Sequence, residues 1–281
     1  MQTNQMQRFF FDFDGVICDS SFEAFRILLY SSNLIDTPLS NAHDEKYEKF
    51  LELRSKVGPA WNYYYVSKEL LSTDTISWVL NAPALKYQNL FFKNRSEFIK
   101  TNYAQWIKLH TIYENIEIIL KKIDNIIILT NKPSNPVIHI LEHFGLFNYV
   151  SKIISLPETK YQSKLDFFQN CGDVSGIFID DHLETALTCH KFLHPKILSL
   201  HANWGYHKGS ISDKSISMKE YDVFIIGSGM AGMTIANKCA LKGLKVGITD
   251  DLPYGGTCAL RGCDPKKVII GATEVRDFAK R

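Results

Sequence analysis

No stretch of this 281-residue chain holds the ~20 consecutive apolar residues that a membrane-spanning helix needs, and no run of Lys or Arg reaches the density of a basic tail. Charge of one sign is lacking too. The chain has 32 Lys and Arg against 30 Asp and Glu, a formal net charge of +2, so there is no electrostatic case for nucleic acid or a membrane surface as partner. The opening MQTNQMQRFFFDF has one Arg and an aromatic run broken by acids, so it lacks the length and flanks of a secretory leader. The six cysteines do not make a secreted disulfide framework: Cys18, Cys171, Cys189 and Cys239 stand singly, and only Cys258 and Cys263 look paired. No internal repeat or low-complexity tract is evident. The expectation is a cytoplasmic protein of one large domain or two smaller ones, with 45% hydrophobic residues to build real cores.

The apolar run that ends in DFDG, within residues 8–18, reads as a buried strand entering a loop. From about Ser20 to Leu120 the pattern is mostly helical, as in SFEAFRILLYSS, DEKYEKFLELRSK and RSEFIKTNYAQWIKL, with PAWNYYYVS read as an aromatic-rich connection. Strands return at 125–130, 152–155, 176–180 and 196–200, separated by the helical segments NPVIHILEHF, KLDFFQN and HLETALTCHKF. Strand and helix in regular alternation predict an α/β fold, a parallel sheet with helices on both faces. Residues 208–219 turn polar and Ser-rich and read as a linker. Beyond them a strand, YDVFIIG, a helix, MTIANKCALKG, and a strand, KVGIT, form a second βαβ unit.

Two chemical constellations stand on this frame. Asp12 and Asp14 lie two apart at the carboxyl end of the first strand, the edge where open α/β sheets bind ligands. DFDG alone is also consistent with a surface turn. However, Thr130 and Asn131 follow a second apolar strand and Asp180 and Asp181 a third, so three strands deliver polar groups to one end of one sheet. In this order, DFDGV, ILTN and IDD resemble three motifs of the haloacid dehalogenase superfamily of phosphohydrolases, and NWGY at 203–206 resembles the tail of its phosphoglycolate phosphatase branch. That resemblance spans residues 8–207 and implies a Rossmann-like parallel-sheet core, taken here as domain 1–207, with a helical cap over about 20–110. It implies Asp12 as the nucleophile that forms an aspartyl-phosphate, Asp14 as general acid and base, and Thr130 as a hydrogen-bond donor to the phosphoryl oxygens. A lysine, Lys164 or alternatively Lys160, would offset charge. Mg²⁺ would be held by Asp12, the backbone carbonyl of Asp14 and Asp180, with Asp181 in support. The substrate would be a small phosphorylated metabolite. The cap residues Trp61, Tyr63, Tyr64 and Tyr65 either line its pocket or form the cap's core.

The second constellation is Gly227, Gly229 and Gly232, a GxGxxG between the strand and the helix, with Asp250 at the end of the next strand. The glycines suit a pyrophosphate lying on the backbone, and the acid suits a ribose hydroxyl. Downstream, GGTCALRGCDPKK (255–267) resembles the redox-active segment of the flavin-dependent pyridine nucleotide-disulfide oxidoreductases. The resemblance implies FAD on Gly227, Gly229, Gly232, Asp250, Gly256 and Thr257, a redox disulfide between Cys258 and Cys263, and Lys267 near the flavin ring. A zinc pair competes for the two cysteines, but no second CxxC or His pair lies nearby. The resemblance covers only residues 218–281, so the domain at 220–281 is expected to be a truncated FAD-binding βαβ unit. The chain is then read as a phosphatase joined to part of an oxidoreductase, or as a fragment of a bifunctional flavoenzyme whose remainder would be its partner. The complete set of acids with Thr130 argues against a phosphate-binding module without catalysis.

Overall fold

Three consecutive phenylalanines form β1 (Phe9–Phe11), the middle strand of the sheet that carries the first unit of this computed structural model. The structure describes residues 8–72, 76–206, 215–216 and 221–250, with Gly255, Gly256, Cys258, Lys266, Lys267 and Ile270. The chain divides into units 1–210 and 211–281. In the first unit, β1 is followed by the short β2 (Cys18–Asp19) and β3 (Thr111–Ile112), then by β4 (Ile126–Thr130), β5 (Val150–Ser155), β6 (Gly176–Asp180) and β7 (Ile197–Ala202). The order β5-β4-β1-β6-β7 is parallel throughout, with Phe10 beside Ile127 on one side and Phe178 on the other. Apolar side chains on both faces of these strands require cover on both faces, the condition under which parallel sheets form. On one face Phe10 packs edge-on against Phe168, 5.1 Å between ring centres, within a core that includes Leu129, Phe167, Phe178 and Ile197.

Four helices fill the interval between β2 and β3: α1 (Ser21–Ser31), α2 (Tyr47–Arg54), α3 (Tyr63–Leu71) and α4 (Ala82–Ile107). They pack mainly on one another. Both ends of this insert are pinned where Cys18 pairs with Ile112 and Asp19 with Thr111 in an antiparallel bridge. The segment PAWNYYYVS is not a connection: Ala60–Asn62 is a 3₁₀ turn that runs directly into α3. Its tyrosines belong to the first turn of a helix and point in different directions from it. Tyr63 stacks on Phe91 of α4 at 4.6 Å, and Tyr65 is likewise buried. α4 begins where the Asn81 side chain accepts from the Ala84 amide at 2.9 Å, with Pro83 in the first turn.

After β3 come α5 (Ile116–Lys122), α6 (Ser134–His143), α7 (Lys164–Asn170) and α8 (Leu183–Leu193), the last three alternating with β4 to β7. α7 starts at a Ser163 cap that accepts from the Asp166 amide at 3.0 Å, which places Lys164 in its first turn.

The second unit holds two parallel strands, Val223–Ile226 and Val246–Thr249, joined by a helix over Met230–Ala240. Of the expected linker, only Ser215 and Ile216 are described, as a short extended pair. Among the described residues no helix is long and apolar enough to cross a membrane.

Candidate active site

The carboxyl ends of β1, β4 and β6 meet at one pocket of about 40 Å³, lined by Asp12, Asp14, Thr130, Lys164, Asp180 and Asp181 among others. That volume suits a phosphoryl group or a few waters, since one water needs roughly 10–15 Å³. Asp12 follows β1 and is almost fully buried. Its Oδ1 accepts from the Phe13 amide at 2.7 Å, and its Oδ2 lies 2.6 Å from Lys164 Nζ. Burial, opposed by Lys164 and reinforced by Asp180 and Asp14, pushes the Asp12 carboxyl up to about 6. Lys164 Nζ also donates to Asp180 Oδ2 at 2.7 Å. Burial alone would lower the pKa of this ammonium, but the two carboxylates outweigh it and hold it charged. Lys160, by contrast, is exposed, with its Nζ 5.5 Å from the Tyr161 ring.

Asp12, Asp180 and Asp181 are all buried and bring carboxylate oxygens within 4.8 Å of one another. Burial, then the like charges of Asp180 and Asp12, push the Asp181 carboxyl well above the usual range. Asp14 is set differently. Burial would raise it, but Lys132, Arg54 and the Ser20 hydroxyl together hold it well below the usual carboxylate range. Lys132 Nζ donates to Asp14 Oδ1 at 2.9 Å, and Ser20 Oγ donates to the same oxygen.

Two cations here escape sequence reasoning. Lys132, at the end of LTNK, was not singled out from the sequence, and it is 2% exposed. Its Nζ lies 3.9 Å from the buried Glu23 of α1, and its amide donates to Thr130 Oγ1 at 3.1 Å. Glu23 in turn accepts both donors of an Arg95 fork, at 2.7 and 2.9 Å. Arg54, at the end of α2, lines the phosphate-sized pocket from the cap side. Its guanidinium sits 4.1 Å over the Tyr206 ring, Nη1 donates to the Val57 carbonyl at 3.3 Å, and Nε is buried with no partner among the described residues. The position of Lys132 two residues after Thr130, at a strand end, was the one available signal for it. Arg54 offered none.

The NWGY segment is packed onto the β1 loop. Trp204 Nε1 donates to the Val16 carbonyl at 3.0 Å, the Tyr206 amide to Asp181 Oδ2 at 3.0 Å, and the Ser20 amide to the Tyr206 hydroxyl at 2.9 Å. A Cβ on Gly205 would stand 2.3 Å from the Asp181 Cβ and 2.4 Å from the Gly15 carbonyl oxygen. Neither atom belongs to a flexible side-chain end. Gly205→Ala is therefore expected to cost about 1–3 kcal/mol, read as a lowered urea midpoint.

Residues 6–171 match the family model of haloacid dehalogenase-like hydrolases, well over half of the chain. The chain belongs to that family. Solved structures similar to this hydrolase chain include a predicted phosphatase from Clostridium acetobutylicum (19% identical, TM-score 0.48, covering 72% of this chain and 87% of that one). A predicted phosphoglycolate phosphatase from Haemophilus somnus is comparable (15% identical, TM-score 0.49, covering 73% and 88%). Residues 221–280 match the pyridine nucleotide-disulphide oxidoreductase model. Over 55 residues the hydrolase chain is 42% identical to a glutathione reductase of Burkholderia cepacia, covering 20% of this chain and 12% of that protein. The chain spans 11 to 15% of the length of the curated relatives it matches.

In the second unit of this hydrolase chain, Gly227 has a φ of +102°, and a Cβ on Gly232 would lie 1.9 Å from the Gly227 carbonyl oxygen. Here the sequence permits a tight strand-to-helix turn because both positions are glycine. Asp250 lies at this turn and accepts from the amide and hydroxyl of Ser228. Gly256 approaches Gly229 so closely that a Cβ would meet its Cα at 2.5 Å. Cys258 is half-buried and forms no disulfide among the described residues, and Lys267 is exposed. Thr257 and Cys263 lie outside the described residues.

Proposed function

We propose that the first unit is a Mg²⁺-dependent phosphomonoesterase working through an aspartyl-phosphate. One observation carries the reading: Asp12, Asp14, Thr130, Lys164, Asp180 and Asp181 converge on a pocket of phosphoryl size. A carboxylate oxygen of Asp12 attacks phosphorus, the ester P–O bond breaks, and the leaving alkoxide takes a proton from Asp14. Water then gives a proton to Asp14 and attacks phosphorus, the Asp12–phosphorus bond breaks, and inorganic phosphate leaves. Lys132 and Arg54 keep Asp14 ionised in the free protein. It becomes a proton donor when a bound phosphoryl group partly neutralises those two cations and adds its own negative charge nearby, taking up its first proton from the substrate's monoanionic phosphate or from solvent.

The buried trio of Asp12, Asp180 and Asp181 fits a hard divalent cation, because carboxylate oxygens at this spacing repel one another without one. Asp12, Asp180 and the Asp14 carbonyl would hold Mg²⁺ with Asp181 in support, and bound Mg²⁺ supplies charge neutralisation for the phosphoryl oxygens. Lys164 holds Asp12 and Asp180 in place, and Thr130 and Arg54 face the phosphoryl oxygens. Purified protein is expected to release phosphate from p-nitrophenyl phosphate with Mg²⁺, to lose this with EDTA and to regain it when Mg²⁺ returns. No release from a broad panel of esters would overturn the reading.

A second reading concerns residues 221–280, where the glycine-lined turn supports binding of a dinucleotide pyrophosphate, FAD by resemblance to the oxidoreductases. Gly227, Gly229 and Gly232 would admit the pyrophosphate and Asp250 would reach the ribose, with Gly256, Thr257, Lys267 and the Cys258–Cys263 pair toward the flavin. Bound FAD would supply electron transfer to that cysteine pair.

A further inference from the structure

A second cavity, of about 440 Å³, adjoins the phosphate-sized pocket between cap and core. Asn131 lines both, and Gly58 of the first is followed by Pro59 of the second. The two differ in chemistry. The small pocket is walled by four carboxylates, Lys164 and Arg54. None of the described residues around the large one carries a charge, and Trp61, Leu80 and Leu85 of the cap face Leu156 and Tyr161 of the core across it. Trp61 is the one residue of the cap's aromatic cluster that lines the cavity, half-exposed and edge-on to Tyr65 at 6.3 Å.

We infer that the substrates are phosphomonoesters of neutral alcohols with an apolar or aromatic body, the phosphate in the small pocket and the alcohol in the large one. This rests on the phosphatase reading above. The volume lies within the range of ligand sites, and its walls mix apolar and aromatic side chains with the neutral polar groups of Gln88, Asn131, Thr159 and Gln162. An anionic alcohol, such as one bearing a carboxylate, would lose hydration here without a cation to pair with. Lys160 beside Tyr161 and Lys86 beside Leu85 are exposed and do not line the cavity.

The test compares kcat/KM, with Mg²⁺, for three primary alkyl esters of similar intrinsic reactivity: 2-phenylethyl phosphate, ethyl phosphate and phosphoglycolate. The first is expected to exceed each of the others by at least about 10-fold. Trp61→Ala should cut the ratio of 2-phenylethyl to ethyl phosphate about 5- to 10-fold. Gln88→Lys, which places a cation in the cavity wall, should raise phosphoglycolate relative to 2-phenylethyl phosphate by a similar factor. An active wild type that favours phosphoglycolate, or ratios unmoved by both variants, overturns this inference and leaves the phosphatase reading standing. A wild type inactive on every ester overturns both.

Discussion

Asp12→Asn is expected to lower phosphate release by on the order of 10³-fold or more, because the amide cannot form the ester to phosphorus on which both half-reactions depend. That corresponds to about 4 kcal/mol of barrier. The fold should survive. Asp12 sits among like charges and in burial that push its carboxyl up to about 6, so a neutral side chain of the same shape relieves repulsion from Asp180 and Asp14. It gives up the ion pair to Lys164, but that ammonium keeps Asp180 at 2.7 Å. The check is a pair of measurements on one preparation, initial rate and thermal midpoint. A variant retaining more than about a tenth of the wild-type rate would remove Asp12 from the nucleophile's role.

The second large effect is on stability. Arg95→Met is expected to cost about 3–5 kcal/mol at neutral pH, because it leaves the carboxylate of Glu23 fully buried without its guanidinium partner. Burial alone would raise Glu23, but Arg95 and then Lys132 bring it down to about 2 from 4.5. A carboxyl depressed in the folded state contributes stability that is full above pH 4.5 and lost as pH falls toward 2. The gap between wild type and variant should narrow over that window, which urea unfolding at stepped pH would reveal. Activity should fall as well. Lys132 Nζ stands 2.9 Å from Asp14 and 3.9 Å from Glu23, and an unpartnered Glu23 would draw it from the first toward the second. A variant as stable as the wild type would show that Glu23 finds compensation elsewhere.

The core strands were legible because each is a short apolar run closed by polar residues. The expected strand at 176–180 is the observed one, and those at 125–130 and 196–200 differ from Ile126–Thr130 and Ile197–Ala202 by one or two residues. PAWNYYYVS misled because clustered tyrosines suit a strand or loop as readily as a helix until the face they pack against is known. Here that face is Phe50 and Phe91, toward which Tyr63 turns. The candidate lysine was narrowed to two, with Lys164 favoured because SKLDFF resembles a helix start, and in the structure Lys164 is buried in the first turn of α7 whereas Lys160 is exposed.

By itself the sequence determined the acids at the strand ends, the parallel α/β frame beneath them and the membership of the first unit in its hydrolase family, since local apolar patterning and motif order are written along the chain. Tertiary structure alone decided that Lys132 and Arg54 flank Asp14, that Glu23 and Arg95 brace Lys132 from the cap, and that a neutral cavity adjoins the charged pocket. These pairings join residues far apart in the chain. Their energies depend on burial and on distances of a few ångströms, which only packing sets.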